Sequence, residues 1–343
     1  MDTMEHNNEQ GICVSFLVVV RNEEHYIEQC LMSILNQTFD PKRYEIIVVD
    51  GMSTDRTRGI VERLIDEHQD YQIRLLDNPG LTLSKGWNIG IRASTQDIVC
   101  RPDAHSKLDE KYVISGVEFL LKNRNKKIAC VGGVLSNVGH GVLGRAFADF
   151  FSSKFGVGCS AFRVGVPETV ETDTAVFALY WRDIFNSCGC FDENLVRNQD
   201  IDLHRRLRQK GYKIFTNPEM KAEYYVRSKL RKFQMKAFSD GYWVAFTKQS
   251  AWRHKIPLCF TIYLLISIVG TAILVHPFNL LILGPLLIYI VLGIVFALRD
   301  GHGLSGKVLM LGLYPLYHLS YGFGSLWAII TKPFKFLTKL LQN

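Results

Sequence analysis

Three stretches without a formal charge, Ile256 to Val275, Phe278 to Leu298 and Val308 to Ile330, constrain this chain more than any other feature. Each approaches the roughly 20 apolar residues that a helix needs to cross a bilayer. A water-soluble fold must therefore be built upstream of them. Pro257, Gly270, Gly284, Pro285, Pro315, Gly322 and Gly324 fall in or beside these stretches, and lipid-embedded helices tolerate such residues better than soluble ones. The third stretch has two readings, a full crossing or a re-entrant segment broken at Pro315 and Gly322. A full crossing carries Lys332, Lys335 and Lys339 to the far side, against the bias of Lys and Arg toward the cytoplasm. Beyond it, Phe334, Leu337 and Leu341 set against Lys335 and Lys339 read as a short interfacial helix.

The formal net charge of +7 is compatible with nucleic acid until its placement is considered. Arg227, Lys229, Arg231, Lys232, Lys236, Lys248, Arg253 and Lys255 precede the apolar stretches, and Arg299 and Lys307 separate the last two. That collar points to the headgroups of a cytoplasmic leaflet and to no nucleic-acid partner. A turn at His276-Pro277 between the first two spans keeps the basic segments on one side. Met1 to Gly11 is a polar tail without a basic leader, so no cleaved signal peptide is expected and the upstream domain stays cytosolic, anchored to the inner (cytoplasmic) membrane by a multi-pass region. Eight cysteines with one close pair, Cys188 and Cys190, read as core fillers in a reducing compartment.

Upstream, β-type runs alternate with helical periodicity. Val14 to Val20 reads as a strand covered on both faces, followed by a helix with Ile27, Leu31, Ile34 and Leu35 on one side. Tyr44 to Val49, Ile73 to Leu76 and Ile98 to Cys100 read as further strands, with helices carrying Ile60, Val61, Leu64 and Ile65, and then a segment from Gly80 to Gly90, between them. This is the pattern of a doubly wound, mostly parallel α/β sheet flanked by helices. Strands are expected again at Ile128 to Leu135, Val176 to Trp181 and Tyr212 to Thr216, with Gly132-Gly133 allowing close backbone approach and Asn217-Pro218 turning the chain. Residues 136 to 170 lack periodicity and are rich in glycine and aromatics, which suggests a mobile binding loop or lid.

Two clusters carry chemistry. Asp103-Ala104-His105 follows a strand end, where α/β sheets bind ligands, and a carboxylate with an imidazole can share one divalent cation. The same residues also make an ordinary solvated turn. Asn198-Gln199-Asp200-Ile201-Asp202 opens a helix that later carries Arg205, Arg206 and Arg208, and acidic residues first with basic ones later also suit the helix dipole.

Taken together, Arg21-Asn22-Glu23-Glu24 after Val14 to Val20, then Val49-Asp50-Gly51-Met52-Ser53-Thr54-Asp55, then Asp103-Ala104-His105, resemble family-2 inverting glycosyltransferases of the GT-A fold, over about residues 12 to 245. Within that family, Asp103-Ala104-His105, Phe191-Asp192-Glu193 and Arg197-Asn198-Gln199-Asp200 look most like the succinoglycan-biosynthesis branch, including its C-terminal α-helical transmembrane region. The resemblance implies a Rossmann-like domain and nucleotide-sugar contacts from Asp50, Arg21, Glu23, Ser53, Lys85, Arg101 and Asp103. It implies a UDP-sugar donor, although Gly51 stands where the family often has a second aspartate. It also implies Mn²⁺ or Mg²⁺ at Asp103 and His105, with imidazole favouring Mn²⁺ and His105 able instead to touch the diphosphate. Asp200 matches the catalytic base, Gln199 stands where a glutamate is frequent, and Asp202 reads as an ion-pair residue.

The Gln-x-x-Arg-Trp motif of processive members does not occur, which favours addition of a single sugar. Gln234 and Trp243 lie in the corresponding region and, with Gln199 and Trp181, are candidate donor or acceptor contacts. Membrane anchoring suggests a polyprenyl-diphosphate-linked glycan as acceptor, in exopolysaccharide, capsule or other surface-glycan assembly. The alternatives are a polyprenyl-phosphate glycosyltransferase and a non-catalytic membrane scaffold. Nucleotidyl transfer is disfavoured by the lack of a glycine-rich triphosphate loop near the first strand.

Overall fold

The computed structural model describes residues 11–226, 229–246, 252–273 and 278–340. Most of the polar tail, Arg227, Lys248, the His276-Pro277 turn and Leu341 lie outside the described residues. The chain forms two compact units, Met1–Ser136 with Gly165–Tyr225, and Asn137–Val164 with Val226–Asn343. This division differs from a boundary at residue 245.

The first unit is built on one sheet, with nine strands among the described residues: β1 Val14–Val20, β2 Tyr44–Asp50, β3 Gln72–Asp77, β4 Ile98–Cys100, β5 Ser106–Leu108, β6 Ile128–Val138, β7 Val170–Glu171, β8 Leu179–Trp181 and β9 Lys213–Tyr225. Their order is β3-β2-β1-β4-β8-β6-β9-β5, with β7 also on β9. β1 and β2 are buried almost throughout, as their unbroken β-branched runs require of strands covered on both faces. Helices Ile27–Leu35, Thr57–Glu67, Leu83–Ala93 and Tyr112–Lys122 supply the cover. Thr82 opens the third of these by accepting the Lys85 amide at 3.4 Å. Leu17, Ile47, Val49, Trp87, Val99 and Tyr180 lie in the core, each worth about 1.5–3 kcal/mol of burial for a large apolar side chain.

The sheet is mixed, which corrects the mostly parallel expectation. β3, β2, β1 and β4 run parallel, but β8 is antiparallel to both β4 and β6, and β5 and β7 are antiparallel to β9. Parallel neighbours need a crossover helix of a dozen or so residues. The helical crossovers before β4 provide it, whereas the chain after β4 adds strands from the other direction. Asn217-Pro218 does not turn the chain either; β9 continues to Tyr225. Its partner β7 ends at Thr216 and its partner β5 begins at Ala222, so Pro218 interrupts neither pairing.

The second unit is helical. Gly141–Ser152, Lys154–Val157 and Ala161–Val164 occupy the stretch expected to be a mobile loop. Its aromatics form a core: Phe147 stacks on Phe233 with centroids 4.5 Å apart, and Phe150 packs on Tyr314 and Tyr317. Those partners lie far along the chain, so no local period marks the segment. Helices Leu230–Val244, Ile256–Ile273, Phe278–Asp300 and Gly303–Leu340 complete the unit. The last is continuous through Pro315 and Gly322, and the tail extends it instead of forming a separate helix. Gly322 serves close packing, not a break, since a Cβ there would lie 1.9 Å from Thr261 Oγ1 and 2.5 Å from the Pro257 carbonyl oxygen. Among the described residues, one window, Leu283–Asp300 with a mean hydropathy of 1.9, is long and apolar enough to cross a membrane.

Candidate active site

The site forms at the carboxyl edge of the parallel strands. Val20, the last residue of β1, is in register with Asp50 at the end of β2, and Val19 bridges to Asp103 just beyond β4. The two carboxylate-bearing residues therefore flank the end of β1. This is the edge where open α/β sheets bind ligands.

Asp50 is buried, and it orders its own loop. Its carboxylate accepts from Ser53 Oγ at 2.6 Å and from the Ser53 amide at 3.2 Å, while Arg58 Nη1 lies 3.6 Å away. Asn22 ties the β1 loop to this one, donating its amide to Ser53 Oγ and accepting the Thr54 amide on Oδ1. Asp55 accepts the Thr57 amide at 2.9 Å, the helix-start role that its position suggests. Arg21 follows β1 and lies against Gly51, and Lys85 folds its stem over Gly80 at the start of the Leu83–Ala93 helix.

Across β1, the backbone of Asp103 accepts from Ser106 while its carboxylate takes no hydrogen bond from any described residue. His105 is held against Tyr224 with ring centroids 4.8 Å apart, and its Nδ1 lies 3.7 Å from Glu23 Oε1. Among the described residues no three His, Cys, Asp or Glu side chains form a ready metal cage. An available carboxylate beside an imidazole nevertheless suits a hard or borderline divalent ion whose remaining ligands are diphosphate oxygens and water. The donor set thus fits Mn²⁺ or Mg²⁺.

Arg101 links this side to the next. Its guanidinium lies 3.9 Å above the Trp87 ring and 5.3 Å from Phe191. Burial opposes its charge, but Tyr180, Asp200 and Asp103 outweigh that and hold its pKa above the usual arginine value. Asp200 is half-buried in the first turn of the Gln199–Gln209 helix and accepts the Ile201 amide at 2.9 Å. Asn198 before it adopts φ 62°. Asp202 pairs with Arg205 at 2.7 Å and Arg206 at 2.9 Å, as its spacing suggests. Despite burial, the two guanidinium groups hold its carboxyl below the usual range.

Of the four candidate contacts, two are engaged elsewhere in the first unit and two belong to the second. Trp181 leaves the site because β8 runs antiparallel to β4: Leu179 sits opposite Cys100, but Trp181 sits opposite Ile98 at the far end, under Arg124. Gln199 is 4% exposed and donates to the Leu195 carbonyl, so its amide holds the turn below the helix. Gln234 and Trp243 belong to the second unit, where Trp243 packs on Tyr242 and Phe246.

Other residues matter that the sequence does not single out. Asn88 donates to the Phe191 carbonyl and to Glu193 and accepts the Phe191 amide, anchoring the Phe191-Asp192-Glu193 turn beside Arg101. Arg206 donates to the Cys188 and Cys190 carbonyls and fastens the preceding loop to the Asp200 helix. Backbone strain marks the same edge. Asn22, Met52, Leu81, Phe177 and Asn198 are the described non-glycine residues with positive φ, and they fall beyond β1, β2 and β3, beside Arg101, and ahead of Asp200.

Comparison with known proteins agrees with this geometry. Residues 15–189 match the profile of Glycosyl transferase family 2. The chain is 27% identical over 231 residues to the dolichyl N-acetyl-alpha-D-glucosaminyl phosphate 3-beta-D-2,3-diacetamido-2,3-dideoxy-beta-D-glucuronosyltransferase of Methanococcus voltae, covering 66% of this chain and 71% of that one. It is 30% identical over 231 residues to the succinoglycan biosynthesis protein ExoA of Rhizobium meliloti (strain 1021), covering 66% and 68%. In fold it is similar to the mannosyltransferase PcManGT from Pyrobaculum calidifontis, solved with GDP-Man and Mn²⁺, with a TM-score of 0.63 at 17% identity over 92% of this chain and 88% of that one. The chain belongs to glycosyl transferase family 2, and its GT-A-like mixed sheet brings Asp50 and Asp103 to one edge, with Asp103 and Asp200 both acting on the charge of Arg101.

Proposed function

We propose that this protein is a membrane-anchored inverting glycosyltransferase that moves one sugar from a UDP-sugar to a lipid-linked acceptor. The observation that carries the reading is Arg101, buried over Trp87 with its positive charge stabilised by both Asp103 of the metal-binding turn and Asp200 of the base helix. On one side of β1, Asp50 and Ser53 receive the nucleoside, with Asp50 exchanging the Ser53 hydrogen for one from the base or ribose. Arg21 and Lys85 lie on that edge to meet the diphosphate, and Glu23 steadies His105. Asp103 and His105 would hold Mn²⁺ or Mg²⁺, which would supply positive charge to neutralise the leaving diphosphate.

Asp200 takes the proton from the acceptor hydroxyl as its oxygen attacks the anomeric carbon from the face opposite the diphosphate. The bond to the diphosphate oxygen breaks, the electron pair leaves with UDP, and the configuration inverts. The missing Gln-x-x-Arg-Trp motif supports addition of one sugar per acceptor.

Several features support a lipid-linked acceptor. The Leu283–Asp300 window and the Arg253, Lys255, Arg299 and Lys307 collar suit a multi-pass anchor in the inner membrane with the catalytic domain cytosolic. The Methanococcus voltae relative is named for a dolichyl phosphate-linked sugar, and the Rhizobium meliloti relative for succinoglycan biosynthesis. Within that class the acceptor proposed is a polyprenyl-diphosphate-linked glycan.

The test is nucleoside-diphosphate release from a panel of nucleotide sugars by full-length protein in liposomes. A UDP-sugar should turn over with a polyprenyl-diphosphate-linked sugar at least about tenfold faster than with its water-soluble analogue. Chelation should stop turnover and Mn²⁺ should restore it. Turnover that survives chelation would remove the metal from the reading, and equal rates on both acceptors would remove the lipid.

A further inference from the structure

We propose that Tyr180 and His204 form a buried strut that fixes Arg101 between Asp103 and Asp200, which makes both of them positioning residues for the base; the proposal rests on the glycosyl-transfer reading above. Stacking on Trp87 and Phe191 holds the Arg101 guanidinium in a plane but leaves it free to turn or slide there. Direction has to come from a polar partner. Tyr180 is placed to provide one: it lies opposite Val99 across the β4-β8 pairing, two residues before Arg101 and on the same face of the sheet, and it is among the groups that stabilise the Arg101 charge.

Hydrogen counting fixes the polarity of the strut. Arginine has donors only, so in the proposed contact the Tyr180 oxygen presents a lone pair toward Arg101 and sends its single hydrogen elsewhere. That hydrogen goes to His204 Nε2, 2.8 Å away. His204 Nδ1 then carries the imidazole hydrogen and donates to Thr174 Oγ1, also at 2.8 Å. Both nitrogens are used, and the ring is fully buried. Burial, with Arg101 adding to it, pulls the His204 pKa down to about 3, so the ring is neutral and its Nε2 accepts under ordinary conditions.

The strut also closes on the base. Asp200 and His204 are four residues apart on the Gln199–Gln209 helix and project from the same face. Displacing His204 therefore moves the helix turn that carries Asp200. Displacing Tyr180 releases the cation that faces Asp200.

The experiment compares Tyr180→Phe, His204→Leu, His204→Gln and the Tyr180→Phe/His204→Leu double variant as full-length proteins. It measures kcat with the donor that turns over, the Kd for UDP with Mn²⁺, and the thermal midpoint. Tyr180→Phe and His204→Leu should each lower kcat about tenfold, as expected for losing a directional bond to a charged group, with Kd changed less than about twofold. The double variant should be no slower than the slower single, because the residues act in series. His204→Gln, whose amide can accept from Tyr180, should regain most of the rate. If His204→Leu does not fold, Tyr180→Phe with His204→Gln decides. Folded variants with kcat within twofold of wild type, losses that multiply in the double variant, or losses explained wholly by Kd would overturn the strut. A wild type inert toward every donor would remove both the glycosyl-transfer reading and the strut, whereas an active wild type with unaffected variants removes the strut alone.

Discussion

Asp200→Asn should lower kcat by about a hundredfold or more, the usual consequence of removing a general base, while leaving the KM for the donor within a few fold. The substitution keeps size and shape and preserves an oxygen to accept the Ile201 amide, so the helix start survives. What is lost is the capacity to take a proton. Asp202, two residues on, cannot replace it, because Arg205 and Arg206 occupy both of its oxygens. Steady-state release of UDP, with product anomeric configuration followed by NMR, provides the check. A variant that turns over at the wild-type rate would place the base elsewhere in the chain.

Gly133→Val should destabilise the first unit by about 3 kcal/mol or more, near the upper end for overpacking in a core. A Cβ at residue 133 would sit 2.0 Å from the Met220 carbonyl oxygen and 2.7 Å from Tyr112 Cε2. The first obstacle is backbone of β9, next to β6 in the sheet, and it cannot retreat without opening the sheet. The Gly133 amide also accepts no substitute geometry easily, since it donates to Tyr112 Oη at 3.1 Å. Urea unfolding of Gly133→Val and of Gly133→Ala would give the two values, with Ala falling between wild type and Val. A Val variant as stable as wild type would show that β6 and β9 can separate.

Local pattern was informative wherever burial is local. β1 and β4 run over the residues that their apolar runs mark, because a strand covered on both faces needs nothing beyond its own side chains to announce it. The clustering of Asp50 and Asp103 followed from the same runs, since parallel strands deliver their ends to one edge. Strand direction beyond β4 left no trace in periodicity, so the sequence could not show that β8 carries Trp181 to the end of β4 away from Asp103. The aromatics of residues 141 to 155 find their partners at Phe233, Tyr314 and Tyr317, a separation at which no window of sequence can see a core. His204 was silent for a similar reason: its partners Thr174 and Tyr180 are neighbours only once β8 and the Asp200 helix have folded together.

The five residues with positive φ bear on how this protein would respond to selection for heat resistance. Each costs on the order of 1–3 kcal/mol, and glycine at the same position would relieve most of it. Met52 and Leu81, whose side chains are exposed, are thus the places where stability is most cheaply recovered by a single replacement, whereas glycine at Phe177 would empty the core and at Asn22 would lose the bond to the Thr54 amide. In the proposed reading all five also shape the loops that meet donor and acceptor. A library screened only for thermal midpoint should accumulate glycine at Met52 and Leu81 and lose turnover, whereas one screened for turnover should leave all five unchanged and find its gains among the helices of the second unit.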